Sequence, residues 1–288
     1  MKNGMLIKSS CILSALASCY GAFGKNPRPN VILILADDMG IGDVRGLNPD
    51  SQIETPWLDE MCNRGIAFTD AHASSALSTP SRYSILTGRY NWRSEKKGGV
   101  LGVMSPPMIA PGRKTIADMF RACDYTTAIV GKWHLGWDWT GKDGKPAKRI
   151  DDIDFTKRVA NGPTDKGFDY FYGLTSPSGP PHLYLVNDMA EKQPNMVFED
   201  SGGGLYKIKG GVGHSDWSAE SMQPHLADKT LESLDENKDS DKPFFLYMAL
   251  TAPHIPLFPS PEFKGKSKIG DYGDLVMMID DIVGRINQ

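Results

Sequence analysis

An unbroken apolar run, Val31-Ile32-Leu33-Ile34-Leu35-Ala36, breaks abruptly into Asp37-Asp38-Met39-Gly40. A short apolar run bounded by turn residues reads as a strand buried on both faces, the kind found inside parallel sheets. Similar runs recur at residues 125–130, stopped by Gly131, and at residues 244–250. Between them the period changes to that of helices. Thr55-Pro56 opens a helix through Arg64, with Trp57, Leu58, Met61 and Cys62 turned inward and Gly65 just past its end. Thr115 opens a second, with Ile116, Met119 and Phe120 inward. A third carries Leu226, Leu231 and Leu234, and a last one, from about Tyr272, carries Val276, Ile279, Val283 and Ile286. Residues 137–215 are rich in Gly, Pro, Asp and Lys and read as long surface insertions with little regular structure; the stretch from Gly202 to Gly211 reads as a flexible loop. Alternating strands and helices predict an α/β fold, a mostly parallel sheet sandwiched by helices. Such sheets place their sites at the carboxyl ends of the strands.

The 288 residues are enough to bury a sizeable core. Net charge is -3 with both signs mixed along the chain, unlike the clustered Lys and Arg of a nucleic-acid binder. Residues 1–24 read as an export signal: Lys2 and Lys8, an apolar centre over residues 11–17, then small residues. Leu16-Ala17-Ser18-Cys19 resembles a bacterial lipobox, which would leave a lipid on Cys19; cleavage after Ala17 or Gly24 fits nearly as well. Either route places residues 25–288 outside the cytoplasm, in the periplasm or anchored at the outer membrane. No later stretch is long and apolar enough to span a bilayer. Cys62 and Cys123, outside this leader, each fall on an apolar helix face and read as buried thiols.

Several groups carry chemistry. Residues 78–89 read Ser-Thr-Pro-Ser-Arg-Tyr-Ser-Ile-Leu-Thr-Gly-Arg. Thr79 suits an N-cap, Pro80 the first helical position, and Gly88 the stop, with Ile85 and Leu86 facing a core. Ser78 would then lie immediately before a helix N-terminus, which favours an anion such as sulfate. Arg82, about one turn along, reaches back towards it. Asp37 and Asp38 repel each other unless a cation or donors hold them, which makes a hard-metal site the sharp reading and a solvated turn the plain one. In Gly131-Lys132-Trp133-His134 the Lys and His are two apart on an extended segment and face the same side. Pro253-His254-Ile255-Pro256 holds a His at the end of the third strand. His72, His182, His214 and His225 read as surface or packing residues, His182 also as a candidate pocket wall, and Asp43 as a loop residue.

Residues 78–89 resemble, position for position, the signature [Cys/Ser]-x-Pro-Ser-Arg-x-x-x-Leu-Thr-Gly-Arg of the formylglycine-dependent (type I) sulfatases, in its serine form. Tyr125, Thr127 and the run from Gly131 to Gly136 resemble the second signature, Gly-Tyr-x-Thr-x-x-x-Gly-Lys-x-His, with Asp124 where the first Gly usually stands. The resemblance implies an alkaline-phosphatase-like fold. It further implies that a sulfatase-maturating enzyme oxidises Ser78 to formylglycine, whose hydrate attacks sulfur, and that Asp37, Asp38 and residue 78 hold Ca2+. Arg82, Lys132 and His254 are implied to bind the sulfate, His134 to take a proton from the hydrate, and His254 to protonate the leaving oxygen. A sulfated carbohydrate or aryl sulfate is the implied substrate, and glycan degradation the implied setting. Gly162-Pro163 with Gly167-Phe168-Asp169-Tyr170 recurs in carbohydrate-acting relatives and reads as structural. Family members continue beyond the last helix into a strand with the remaining calcium ligands and a small antiparallel sheet. The 288 residues are therefore expected to be the N-terminal part of a sulfatase, weakly active or inactive alone. Two rivals remain: a phosphodiesterase or phosphatase of the same fold with an unmodified Ser78, and a catalytically dead glycan-binding remnant.

Overall fold

The three apolar runs do become neighbouring strands in the computed structural model, which describes residues 28–288. The export signal, its lipobox and Cys11 and Cys19 lie outside the described residues. Val31–Gln288 make one compact unit. Its strands are β1 (Val31–Asp37), β2 (Thr126–Lys132), β3 (Tyr170–Leu174), β4 (Leu185–Val186), β5 (Met189–Ala190), β6 (Met196–Phe198), β7 (Gly211–Gly213) and β8 (Phe244–Pro253). Its α-helices are α1 (Pro56–Arg64), α2 (Ser78–Thr87), α3 (Ile116–Ala122), α4 (Ala219–Asn237) and α5 (Asp271–Asn287). Six strands form one sheet in the order β1-β8-β2-β3-β4-β5, and β6 pairs with β7 separately. The first four are parallel, while β4 and β5 fold back antiparallel. One row across the parallel part runs Ile34, Met248, Val130, Tyr172.

Alternation along β8 divides the core. Phe245, Tyr247 and Ala249 join a cluster with Tyr83 and Leu86 of α2 and Ala117 of α3. Leu246 faces Met222 and Leu226 of α4, whereas Met248 and Leu250 meet Leu275, Ile279 and Ile282 of α5. Both faces of the sheet are thus covered by helices, as the strand–helix alternation required. Among the described residues no helix is long and apolar enough to cross a membrane.

Several expectations are corrected. The first concerns residues 137–215, which are not surface insertions. Trp137, Trp139, Phe168 and Phe171 are at most 4% exposed and extend the core cluster under α2 and α3. Turn residues dominate the spacing, so pattern reading misses that Trp137, Trp139 and Phe168 return to the core from irregular segments and that Phe171 lies in a short sheet strand, β3. The Gly-rich stretch is braced as well, Ser201 and Ile208 exchanging backbone bonds of 3.0 and 2.9 Å before β7 begins. Gly131 does not stop its strand. At φ 120° it lets β2 pass so close to β8 that a Cβ there would lie 2.0 Å from the Ala249 carbonyl oxygen.

Met61 and Met119 point outward, at 46% and 54% exposure, Cys123 is exposed and Cys62 half-buried. Helix α1 lies at the rim and buries no residue completely; Trp57 packs on Gly284 of α5, where a Cβ would come within 2.5 Å of the ring. Asp280, inside α5, accepts the Leu58 and Trp57 N–H groups at 2.8 and 3.3 Å and so caps α1. Asp124, at φ 61°, makes the left-handed turn between α3 and β2, at the position where glycine stands in the resembling signature.

Candidate active site

The carboxyl ends of β1, β2 and β8 meet the first turn of α2, and four segments distant in sequence share one cluster. Ser78 is itself the first helical residue, with Leu77 as N-cap. Thr79 therefore does not cap. Its hydroxyl, fully buried, donates to the His134 carbonyl at 2.9 Å and accepts from Leu101 N–H at 3.1 Å. The side chain ties α2, the turn after β2 and the loop at Leu101 together.

Arg82 does reach back. Its Nε donates to Ser78 Oγ at 2.9 Å, Nη1 to the Lys132 carbonyl at 2.9 Å and Nη2 to the Leu250 carbonyl at 3.2 Å. Nη2 also lies 3.3 Å from Asp37 Oδ1, whose other oxygen accepts from Lys132 Nζ at 2.5 Å. All three side chains are at most 5% exposed. Charges that far from water need partners, and here one carboxylate serves two cations. Burial alone would raise the Asp37 pKa, but Lys132 and Arg82 beside it hold the carboxyl below its usual range. Burial pulls Lys132 down to about 8, against the upward pull of Asp37.

His134 stands at φ 54°, so the segment is not extended through it, yet it still converges with Lys132 on the cluster. Its Nε2 lies 2.9 Å from the Leu101 carbonyl, which can only accept; the ring proton therefore sits on Nε2. Nδ1 is left as an acceptor 3.1 Å from Ser78 Oγ. Burial above all, with the Lys132 charge, lowers the imidazole to about 3, so it is neutral at ordinary pH. His254 Nε2 is 3.7 Å from Asp38 Oδ2, while its Nδ1 donates to the Ile255 carbonyl.

A cavity of about 270 Å³ opens on this group, lined by Asp38, Ser78, His134 and His254, with further wall from Ala76 and Leu77, residues 100–103, and Ser176, Ser178 and Gly179. Arg82 and Lys132 lie behind it, touching Ser78 and Asp37 rather than lining it. The walls at Leu101, Ser176 and Ser178, and the tie made by Thr79, were not foreseen, because no motif or periodicity marks them. His182 does not line this cavity; it is buried, bonded to the Lys209 carbonyl at 2.8 Å and packed on Trp217. Asp43 accepts from Gly40 N–H and Tyr272 Oη at 2.7 and 2.6 Å, a loop brace.

A calcium ion would find Asp37, Asp38 and the residue-78 oxygen here, and among the described residues no group of three or more His, Cys, Asp or Glu is gathered to hold a metal. Calcium takes roughly six to eight oxygens. With Asp37 already bound to Lys132 and Arg82, these donors alone do not make that site.

A family model, Sulfatase, matches residues 29–288, and the chain belongs to the sulfatase family. It is 32% identical over 291 residues to an N-acetylgalactosamine-6-O-sulfatase of Bacteroides thetaiotaomicron, covering 90% of this chain and 55% of that protein. An N-acetylgalactosamine-6-sulfatase of Sus scrofa is 31% identical, over 96% of this chain and 49% of its own. A solved structure from work on the metabolism of multiple glycosaminoglycans by Bacteroides thetaiotaomicron superposes with TM-score 0.75 at 29% identity, over 91% of this chain and 58% of that one. The chain thus spans about half the length of the curated relatives it matches. The alkaline-phosphatase-like α/β fold is the fold of these neighbours.

Proposed function

We propose that the protein hydrolyses sulfate esters on sulfated glycans, with 6-sulfated N-acetylgalactosamine the first substrate to try, through formylglycine made from Ser78 by a sulfatase-maturating enzyme. The observation that carries this reading is that Ser78 Oγ is met at once by Arg82 Nε and His134 Nδ1 on the floor of a cavity. The oxidised residue, as its hydrate, supplies one oxygen to attack sulfur and a second to release the sulfate afterwards.

This chain's own residues supply the rest. His134 enters neutral, its proton fixed on Nε2 by the Leu101 carbonyl, and takes a proton at Nδ1 from the residue-78 oxygen. Arg82, held by Asp37 and two carbonyls, keeps a positive charge against that oxygen. Lys132 fixes Asp37 from behind. His254 lines the same cavity and is the group left to hand a proton to the departing alcohol. Residues 1–24 direct export, to the periplasm or, with a lipid on Cys19, to the outer membrane.

The test is mass spectrometry of the Ser78 peptide after co-production with a serine-type maturating enzyme, together with sulfate release from 6-sulfated N-acetylgalactosamine. An aldehyde at residue 78 and loss of release in Ser78→Ala are expected. Sulfate release by a protein that keeps an intact serine, or hydrolysis of phosphate esters alone, would sink the reading.

A further inference from the structure

The segment that leaves the motif helix carries aromatic rings and cations that the chemistry at Ser78 does not use. Tyr90 and Trp92 stack with centroids 4.1 Å apart and planes within 10°, and are 51% and 52% exposed. Stacked face to face, the two rings cover each other's inner faces and leave their outer faces and edges to water, a flat apolar platform for a ligand. The turn beneath them is rigid. Buried Asn91 donates Nδ2 to the Lys97 carbonyl at 2.7 Å, and Ser94 Oγ donates back to the Asn91 carbonyl at 2.7 Å. Arg89 Nη2 donates to the Arg93 carbonyl at 3.3 Å and Lys97 Nζ to the Trp92 carbonyl at 2.9 Å.

Residues 89–97 thus gather Arg89, Arg93, Lys96 and Lys97 against a single carboxylate, Glu95, in a chain of net charge -3. Among the described residues none of these cations pairs with a carboxylate; those that are held are held by backbone carbonyls, which leave the charge uncancelled. Three residues beyond Lys97 the chain becomes the wall of the Ser78 cavity at Val100. Three residues span at most roughly 10 Å, so strip and cavity adjoin.

We propose that residues 89–97 are a docking strip for an acidic polysaccharide. A sugar face lies on the outer face of the Tyr90–Trp92 stack while sulfate or carboxylate groups meet Arg93, Lys96 and Lys97, and the polymer runs on towards the cavity. Only that direction rests on the glycan reading of Ser78; binding itself needs no turnover. Nucleic acid is the weaker occupant, because the cations form one short turn rather than a groove that tracks successive phosphates.

The test titrates chondroitin sulfate oligosaccharides into the protein at low salt by calorimetry, with single-stranded DNA of equal charge as the control. Affinity is expected to fall about tenfold or more in Arg93→Gln/Lys96→Gln/Lys97→Gln and in Trp92→Ala, and to weaken with added salt. Ser78→Ala is expected to bind as wild type does, which separates this outcome from failure of the hydrolase reading. The proposal is overturned if wild type does not bind the oligosaccharides, if the triple variant binds them as tightly, or if the DNA binds as well as the glycan. Circular dichroism melts of both variants must match wild type, and a second aromatic variant, Tyr90→Ala, replaces Trp92→Ala if that one unfolds.

Discussion

Two sets of cations in this molecule obey opposite rules. Arg82 and Lys132 are at most 1% exposed and share Asp37, and Arg82 is further pinned by carbonyls from β2 and β8. Arg89 and Lys97 stand on a surface turn, where their side chains donate to its backbone carbonyls. A buried charge is tolerable only with its partner, so the first set is inseparable from the fold and from the geometry at Ser78. An exposed charge costs the fold almost nothing and remains available to an outside anion. The position of a cation relative to water, and not its identity, decides whether it serves architecture or recognition.

The comparison breaks most visibly at Asp37. Asp37→Asn leaves two buried cations without their carboxylate and is expected to cost about 3–5 kcal/mol. Asp38→Asn, next door but with its side chain about half exposed (52%), is expected to cost no more than about 1 kcal/mol. Denaturant unfolding of the two variants decides it, and equal losses would mean that burial is not what governs this pair.

The next effect is set by pH. The ordinary His134 value of 6.5 is lowered to about 3 in the fold, so between these values the unfolded chain binds the proton and the native one does not. The stability of the neutral ring is therefore complete above pH 6.5 and is lost as pH falls from there towards 3, by an amount on the order of a few kcal/mol. His134→Gln should flatten thermal stability over that window; an unchanged acid limb would show that other groups carry it.

Thr79 gives a smaller loss. Thr79→Val strands the Leu101 N–H and the His134 carbonyl and is expected to cost about 1–3 kcal/mol, whereas Thr79→Ser keeps both bonds. If serine fails to restore what valine removes, the tie is packing rather than hydrogen bonding. At the other end of the scale, Arg93→Gln/Lys96→Gln/Lys97→Gln is expected to stay within about 0.5 kcal/mol of wild type in the same unfolding assay.

Much of this was legible in the residues. The apolar runs marked β1, β2 and β8 within a few residues, since strands buried on both faces have no polar alternation to confuse. The helix boundaries Pro56–Arg64 and Ser78–Thr87 followed from Thr-Pro and Gly signals, with the error at Thr79 coming from a hydroxyl that serves a long-range bond instead of a local cap. Residues 137–215 were misread because Gly, Pro and Asp report turns but not where a turn delivers Trp137, nor that the short run at Phe171 joins the sheet as β3. Met61 and Met119 were misread because an apolar side chain on a rim helix has no obligation to be covered.

The linear order of residues by itself determined the α/β class, the segment around Ser78 that matches the family signature, and the family to which the chain belongs. Only the tertiary structure decided that Arg82 is shared between Ser78, Asp37 and the Leu250 carbonyl 168 positions away, that Leu101 fixes the proton of His134, and that Thr79 bonds across 55 positions. The reason is physical. Local patterns record the periods of helix and strand, whereas a hydrogen bond between distant loops depends on where the packed sheet places their ends, and no neighbour in the chain records that.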